Sequence, residues 1–172
     1  MAAATPAKAF LARLDAVTRR LVEHTRAGMP SGLTEPDSQT GERWDAGQVW
    51  AHLAEFLPYW MGEVRQIIEV RSSGPAPFGR VKSDPGRVAA IERGRRQPIE
   101  AHMTRMAAAI GELRAMLAQL PPEAWAARGK HPTLGWMDLP QIVERFMVGH
   151  LEEHADQLDS LRKSTPEARG RT

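Results

Sequence analysis

The chain has 172 residues, 42% of them hydrophobic and 26% charged, a composition typical of a globular protein of one domain. Its 23 basic and 21 acidic residues leave a formal net charge of +2, which is too balanced to indicate nucleic-acid binding. It contains no cysteine, which excludes disulfides, thiolate metal ligands and a cysteine nucleophile.

No segment approaches the roughly 20 consecutive apolar residues that a membrane span requires. The N-terminal residues MAAATPAKAFLARLDAV lack a long apolar core and carry Lys8, Arg13 and Asp15, so they do not resemble a signal peptide. We therefore expect a cytoplasmic protein that acts on a small-molecule substrate and binds neither nucleic acid nor a membrane.

The first half of the chain predicts two amphipathic helices. The first covers about residues 6–27 and is followed by a loop rich in Pro, Gly, Ser and Thr. The second begins after Asp45, which forms a capping-box pattern with Gln48, and extends to about Arg71. Pro58 lies inside this helix and predicts a kink there.

The second half predicts two more helices, separated by loops over 72–86 and 121–137. A long third helix is expected from 85 to 120, bent near Pro98, and a fourth from 139 to 163 after an N-cap at Asp138. No segment alternates as a strand would. The pattern predicts an all-α four-helix bundle, one domain over 1–172 with a polar tail from about residue 164.

Two histidines lie on the inward stripe of the fourth helix. His150 and His154 are four residues apart, so both imidazoles lie on one face and can reach one cation. Such a pair alone is a weak signal, because buried histidines are often hydrogen-bonded core residues. His52 borders the inward face of the second helix and could supply a third ligand, leaving a coordination position open for catalysis.

The segments WDAGQVWAHLAEFLPYW (44–60) and GKHPTLGWMDLPQIVERFMVGHLEEHADQL (129–158) resemble the DinB/YfiT-like superfamily of metalloenzymes. The resemblance covers about residues 8 to 162, and its most specific part is H-x-x-x-H-x-x-Q on the last helix. It implies a four-helix bundle, often a homodimer, in which three histidines hold a divalent metal ion such as zinc or nickel. In this chain the implied ligands are His52, His150 and His154.

The characterised branches of that superfamily depend on low-molecular-weight thiols. They include mycothiol-dependent maleylpyruvate isomerases and S-transferases that use mycothiol or bacillithiol. The isomerases have an acidic residue at one ligand position and an additional C-terminal domain, whereas this chain has histidine at all three positions. The resemblance therefore implies an S-transferase-like enzyme with a thiol cosubstrate. A metal-dependent hydrolase and a non-catalytic bundle that binds a small ligand are the alternatives.

Further residues are candidates for supporting roles around the histidines. Acceptors for the free imidazole N–H groups would orient the ligands, and the candidates are Glu55, Glu153 and Gln157. Solvated carboxylates are the simpler interpretation of the two glutamates, and Gln157 is also explained by a contact between helices. His131 is a candidate pocket residue, although a surface loop position is the simpler interpretation. Arg80 and Lys82, in the loop over 72–86, are candidates for contacts with an anionic substrate, and here a solvated loop is the simpler interpretation.

Overall fold

Four long helical segments form the body of the computed structural model, which describes residues 6–74 and 76–164. The predicted polar tail falls almost wholly on residues outside this described part. The helices and strands are α1 (Ala7–Ala27), α2 (Ala46–Val70), β1 (Ala76–Pro77), α3 (Pro85–Gly94), α4 (Ile99–Gln119), β2 (Arg128–His131), β3 (Gly135–Asp138), α5 (Leu139–Val143) and α6 (Gly149–Ser164).

The four-helix bundle predicted from the sequence is confirmed. Helix α1 packs against α4 and α6, and α2 packs against the same two helices. The core between them consists of fully buried aliphatic side chains, each of which stabilises the fold by about 1.5–3 kcal/mol. These include Leu14, Leu21, Leu53, Leu113, Leu117, Leu151 and Leu158. In the described part of the chain, no helix combines the length and apolar character needed to cross a membrane.

Helix α2, which carries His52, starts where the capping box predicts. The Asp45 carboxylate accepts the Gln48 backbone N–H at 2.8 Å, and the Gln48 side-chain oxygen accepts the Asp45 backbone N–H at 3.0 Å. These bonds satisfy two backbone donors that a helix start leaves unpaired. The helix continues through Pro58 without interruption as far as Val70.

The single third helix predicted over 85–120 is wrong, because the structure divides it into α3 and α4. Pro98 is the N-cap residue of α4, and a proline has no backbone N–H and disfavours helical geometry in the residue before it. The backbone N–H of Gln97 turns back to the Gly94 carbonyl at 2.8 Å. Helix α3 therefore packs separately against α2, outside the four-helix ring.

The structure also contains a small three-stranded sheet, although no segment of the sequence alternates as a strand would. Strand β1 pairs in parallel with β2, Ala76 opposite Gly129, and β2 pairs antiparallel with β3, Arg128 opposite Asp138. These strands have two to four residues, which is too short for an alternating pattern to be recognised. The sheet is a minor addition that ties the 71–84 loop to the segment before the last helix.

A π-helical turn over Glu144–Val148 joins α5 to α6 and is absent from the sequence prediction. The Gly149 backbone N–H donates to the Glu144 carbonyl, five residues earlier. A Cβ at position 149 would collide with that carbonyl oxygen, which explains why glycine occupies it. The turn adds a residue to the helix immediately before His150 and so sets the direction in which His150 points.

Candidate metal centre

The three histidines singled out in the sequence converge at one point in the bundle. The Nε2 atom of His150 lies 3.1 Å from Nε2 of His52 and 3.1 Å from Nε2 of His154. His52 comes from α2, and the other two lie on adjacent turns of α6. One nitrogen from each ring lies within 4.8 Å of those of the other two, so one cation can contact all three.

Each of these histidines has its other ring nitrogen against the oxygen of a residue three positions later. His52 Nδ1 lies 2.7 Å from Glu55 Oε1, and His150 Nδ1 lies 3.0 Å from Glu153 Oε2. An ionised carboxylate can only accept, so Nδ1 donates in both rings. In the neutral form of such a ring, Nε2 presents a lone pair.

His154 is held in the same way, with Nδ1 2.7 Å from Gln157 Oε1. The structure therefore places Glu55, Glu153 and Gln157 beside the three histidines. Their influence on a metal ion stays a prediction.

Burial keeps two of the rings neutral. His52 and His154 are 4% and 5% exposed, and burial together with the charges of the neighbouring histidines lowers the pKa of both well below its ordinary value. The neutral imidazole is the form that binds metal. The His150 side chain is 25% exposed, so the cluster is reachable from solvent on that side.

Two aromatic residues pack against the histidine cluster, and the sequence analysis singled out neither of them as a site residue. The Trp44 ring stacks on His154 at 6.1 Å between centroids and meets His52 edge-on at 5.3 Å. Phe56 lies 4.9 Å from His150 and 5.3 Å from His52. Phe56 is one turn after His52, and that spacing places it beside the cluster.

A loop arginine binds Glu55, so the solvated interpretation is wrong for Arg80, whereas Lys82 in the same loop is exposed. Arg80 Nη2 lies 2.7 Å from both oxygens of Glu55, and its side chain is only 12% exposed. The guanidinium also lies 4.0 Å from the centre of the Tyr59 ring, a cation–π contact. Lys82 forms an ion pair with Asp37 at 2.6 Å.

His131 lies elsewhere, at the end of β2, and is not a member of the three-histidine cluster. It is 4% exposed, so the surface loop interpretation is wrong. Its ring stacks on Phe146, with 5.2 Å between centroids, and its Nδ1 accepts the backbone N–H groups of Thr133 and Leu134 at 3.3 Å. A role for His131 in a substrate pocket stays a prediction.

The chain belongs to the DinB superfamily, whose family model matches residues 7–158. This match covers nearly all of the described structure and confirms the resemblance seen in the sequence. No curated protein sequence matches the chain.

Several solved structures have the same fold at low sequence identity. YfiT from Bacillus subtilis, described as a probable metal-dependent hydrolase with an unusual four-helix bundle topology, is 16% identical with a TM-score of 0.66, over 91% of this chain and 86% of YfiT. A mycothiol-dependent maleylpyruvate isomerase is 13% identical with a TM-score of 0.65, over 95% of this chain and 65% of the isomerase.

The colibactin self-resistance protein ClbS, solved in complex with double-stranded DNA, is 9% identical with a TM-score of 0.58, over 91% of this chain and 95% of ClbS. At these identities the similarity establishes the shared fold. The hydrolase, isomerase and DNA descriptions belong to those proteins.

Proposed function

We propose that His52, His150 and His154 hold a divalent metal ion, zinc or nickel, and that the protein is a transferase that activates a low-molecular-weight thiol there. The observation that carries this proposal is the convergence of three Nε2 atoms while each Nδ1 faces an acceptor. Imidazoles in their neutral form direct lone pairs at one another in this arrangement, which is unfavourable unless a cation lies between them. The donor set therefore fits a metal ion.

A bound ion would lower the pKa of a thiol in its open coordination position and so supply a thiolate near neutral pH. The protein's own residues prepare the site for this. Glu55, Glu153 and Gln157 fix the tautomer and orientation of the histidines. Trp44 and Phe56 exclude water from the two buried ligands. Because the chain has no cysteine, the sulfur has to come from a small molecule.

A metal-dependent hydrolase is the second candidate, and the similarity to YfiT favours it. The same three histidines would serve equally well if water, in place of a thiol, took the open position. Turnover separates the two functions. A transferase consumes thiol in proportion to product, whereas a hydrolase forms product when no thiol is present. The homodimer implied by the family resemblance and the cytoplasmic location stay predictions.

The test is the metal content of tag-free protein, measured by mass spectrometry after exposure to zinc and to nickel. We expect about one ion per chain in the wild type, as three-histidine sites hold, and none in His52→Ala or His154→Ala. His24→Asn is the matched control, because His24 is also a buried helical histidine but pairs with Asp159 at 2.8 Å. Helix content from circular dichroism should stay unchanged. A wild type without metal would refute the proposal.

A further inference from the structure

Arg87, in the first turn of α3, is an arginine with unused hydrogen-bonding capacity close to the histidine cluster. Its Nη1 donates to the Lys82 backbone carbonyl at 2.7 Å, and its guanidinium carbon lies 5.2 Å from the centre of the Trp44 ring. Within residues 6–74 and 76–164, no carboxylate forms an ion pair with it. A guanidinium has five N–H donors, so most of those of Arg87 have no protein acceptor.

Two other cations near Arg87 are already paired. Arg80 is bound to Glu55 and Lys82 to Asp37. Arg87 is only partly exposed, and burial is the largest effect on its pKa, which is lowered. The charges of Glu55, Glu42 and Asp37 offset part of this burial, but none of these three carboxylates forms an ion pair with Arg87 among the described residues. An anion bound directly to the guanidinium would offset more of the cost of burying its charge.

The position of Arg87 connects it to the cluster. The Trp44 ring that it covers also contacts both buried histidines, His52 and His154. A molecule with one group at the cluster is therefore within reach of Arg87 with another.

We propose that Arg87 binds a carboxylate of a molecule that reacts at the three-histidine site, so that the substrates of this protein include an organic acid. The inference rests on the proposed function. The planar guanidinium fork matches the two oxygens of a carboxylate. That carboxylate belongs either to the thiol or to the molecule that accepts the sulfur.

The experiment uses the whole 172-residue chain loaded with cobalt(II), whose charge-transfer absorption appears when a thiolate binds the ion. In the first arm, 3-mercaptopropionate and its uncharged analogue 3-mercaptopropanol are titrated into the wild type, Arg87→Met and Arg87→Lys. In the second arm, acetate is titrated by calorimetry into protein saturated with 3-mercaptopropanol. Arg93→Met is the matched control, because Arg93 lies on the same helix and is exposed.

We expect the wild type and Arg93→Met to bind 3-mercaptopropionate roughly tenfold or more tightly than 3-mercaptopropanol, a ratio that corresponds to one charge-assisted hydrogen bond. This ratio of affinities should fall towards one in Arg87→Met and be partly retained in Arg87→Lys. Such a result places the carboxylate on the thiol. Acetate binding that is lost in Arg87→Met places it on the sulfur acceptor.

If neither arm depends on Arg87 while the cobalt–thiolate band still forms, the inference is wrong and the proposed function stands. If the wild type holds no metal, or no thiol produces the band, the proposed thiol chemistry is wrong instead. Circular dichroism and cobalt content check that both Arg87 variants fold and load normally, so a loss of preference reports on the side chain itself.

Discussion

The acceptors beside the histidines should contribute unequally to metal affinity, and comparison of Glu55→Gln with Glu153→Gln tests this. Both carboxylates accept from a histidine Nδ1, at 2.7 Å and 3.0 Å. The Glu55 side chain is 15% exposed, whereas that of Glu153 is 71% exposed. Water therefore screens the Glu153 bond and leaves the Glu55 bond at nearly full strength.

Loss of such a partner weakens metal binding by about 10- to 100-fold, which corresponds to roughly 1.4–2.7 kcal/mol. We expect this full loss for Glu55→Gln. For Glu153→Gln we expect at most about fivefold, or 1 kcal/mol, as for other exposed charge pairs. Glutamine keeps the shape of the side chain and still offers Arg80 one oxygen, so the 12% exposed guanidinium does not lose every acceptor.

The assay is competition for zinc against a chromophoric chelator at pH 7.5, with circular dichroism to confirm that each variant folds. Glu63→Gln is a control, since Glu63 accepts the Gly79 backbone N–H and no histidine. Equal losses in Glu55→Gln and Glu153→Gln, or no loss in Glu55→Gln, would refute the reasoning from burial.

Two further predictions concern the stability of the metal-free protein, measured by urea unfolding. Burial lowers the pKa of five histidines below the ordinary value near 6.5, namely His24, His52, His102, His131 and His154. As pH falls below about 6.5, the unfolded chain binds more protons than the folded one. The free energy of unfolding should therefore fall between pH 7.5 and 5.5, by up to about 1.4 kcal/mol per pH unit for each histidine. A rise over this range would contradict the assignment of neutral buried rings. Gly79→Ala should lower the free energy of unfolding by at least about 1 kcal/mol, because Gly79 has a φ of +89° and its added Cβ would lie 2.8 Å from His131 Nε2. Gly62→Ala should raise it by about 0.5–1 kcal/mol, since nothing lies within 4 Å of a Cβ added at this position inside α2. Changes of the same sign in both variants would count against this account.

The parts of the site that depend on one helix were predictable from the sequence. The i, i+4 spacing of His150 and His154 places their rings on one face of α6, because a helix turns once every 3.6 residues. Each histidine acceptor follows its histidine by three residues, a spacing at which helical side chains meet. The capping boxes at Asp45 and Asp138 marked two helix starts in the same local way.

The tertiary structure decided which separate segments meet. His52 and His150 are 98 residues apart, and no local pattern specifies the distance between their Nε2 atoms. Arg80 lies in the loop after β1, a strand that pairs with β2 and also contacts α2, and from this loop Arg80 bonds to Glu55 on α2. A two-residue strand is stabilised by its partner strand and not by its own sequence, so it leaves no periodic signal.

The sequence by itself therefore determined the helices, their buried faces and the donor atoms that each helix presents, since these follow from contacts within a few turns. The break between α3 and α4, the π turn before His150, the small sheet and the place of Arg87 on Trp44 came only from the tertiary structure. The small sheet and the place of Arg87 depend on packing between segments far apart in the chain, where local propensity does not decide the outcome. The break has a local cause in Pro98, but only the structure shows that it separates two helices and does not merely bend one.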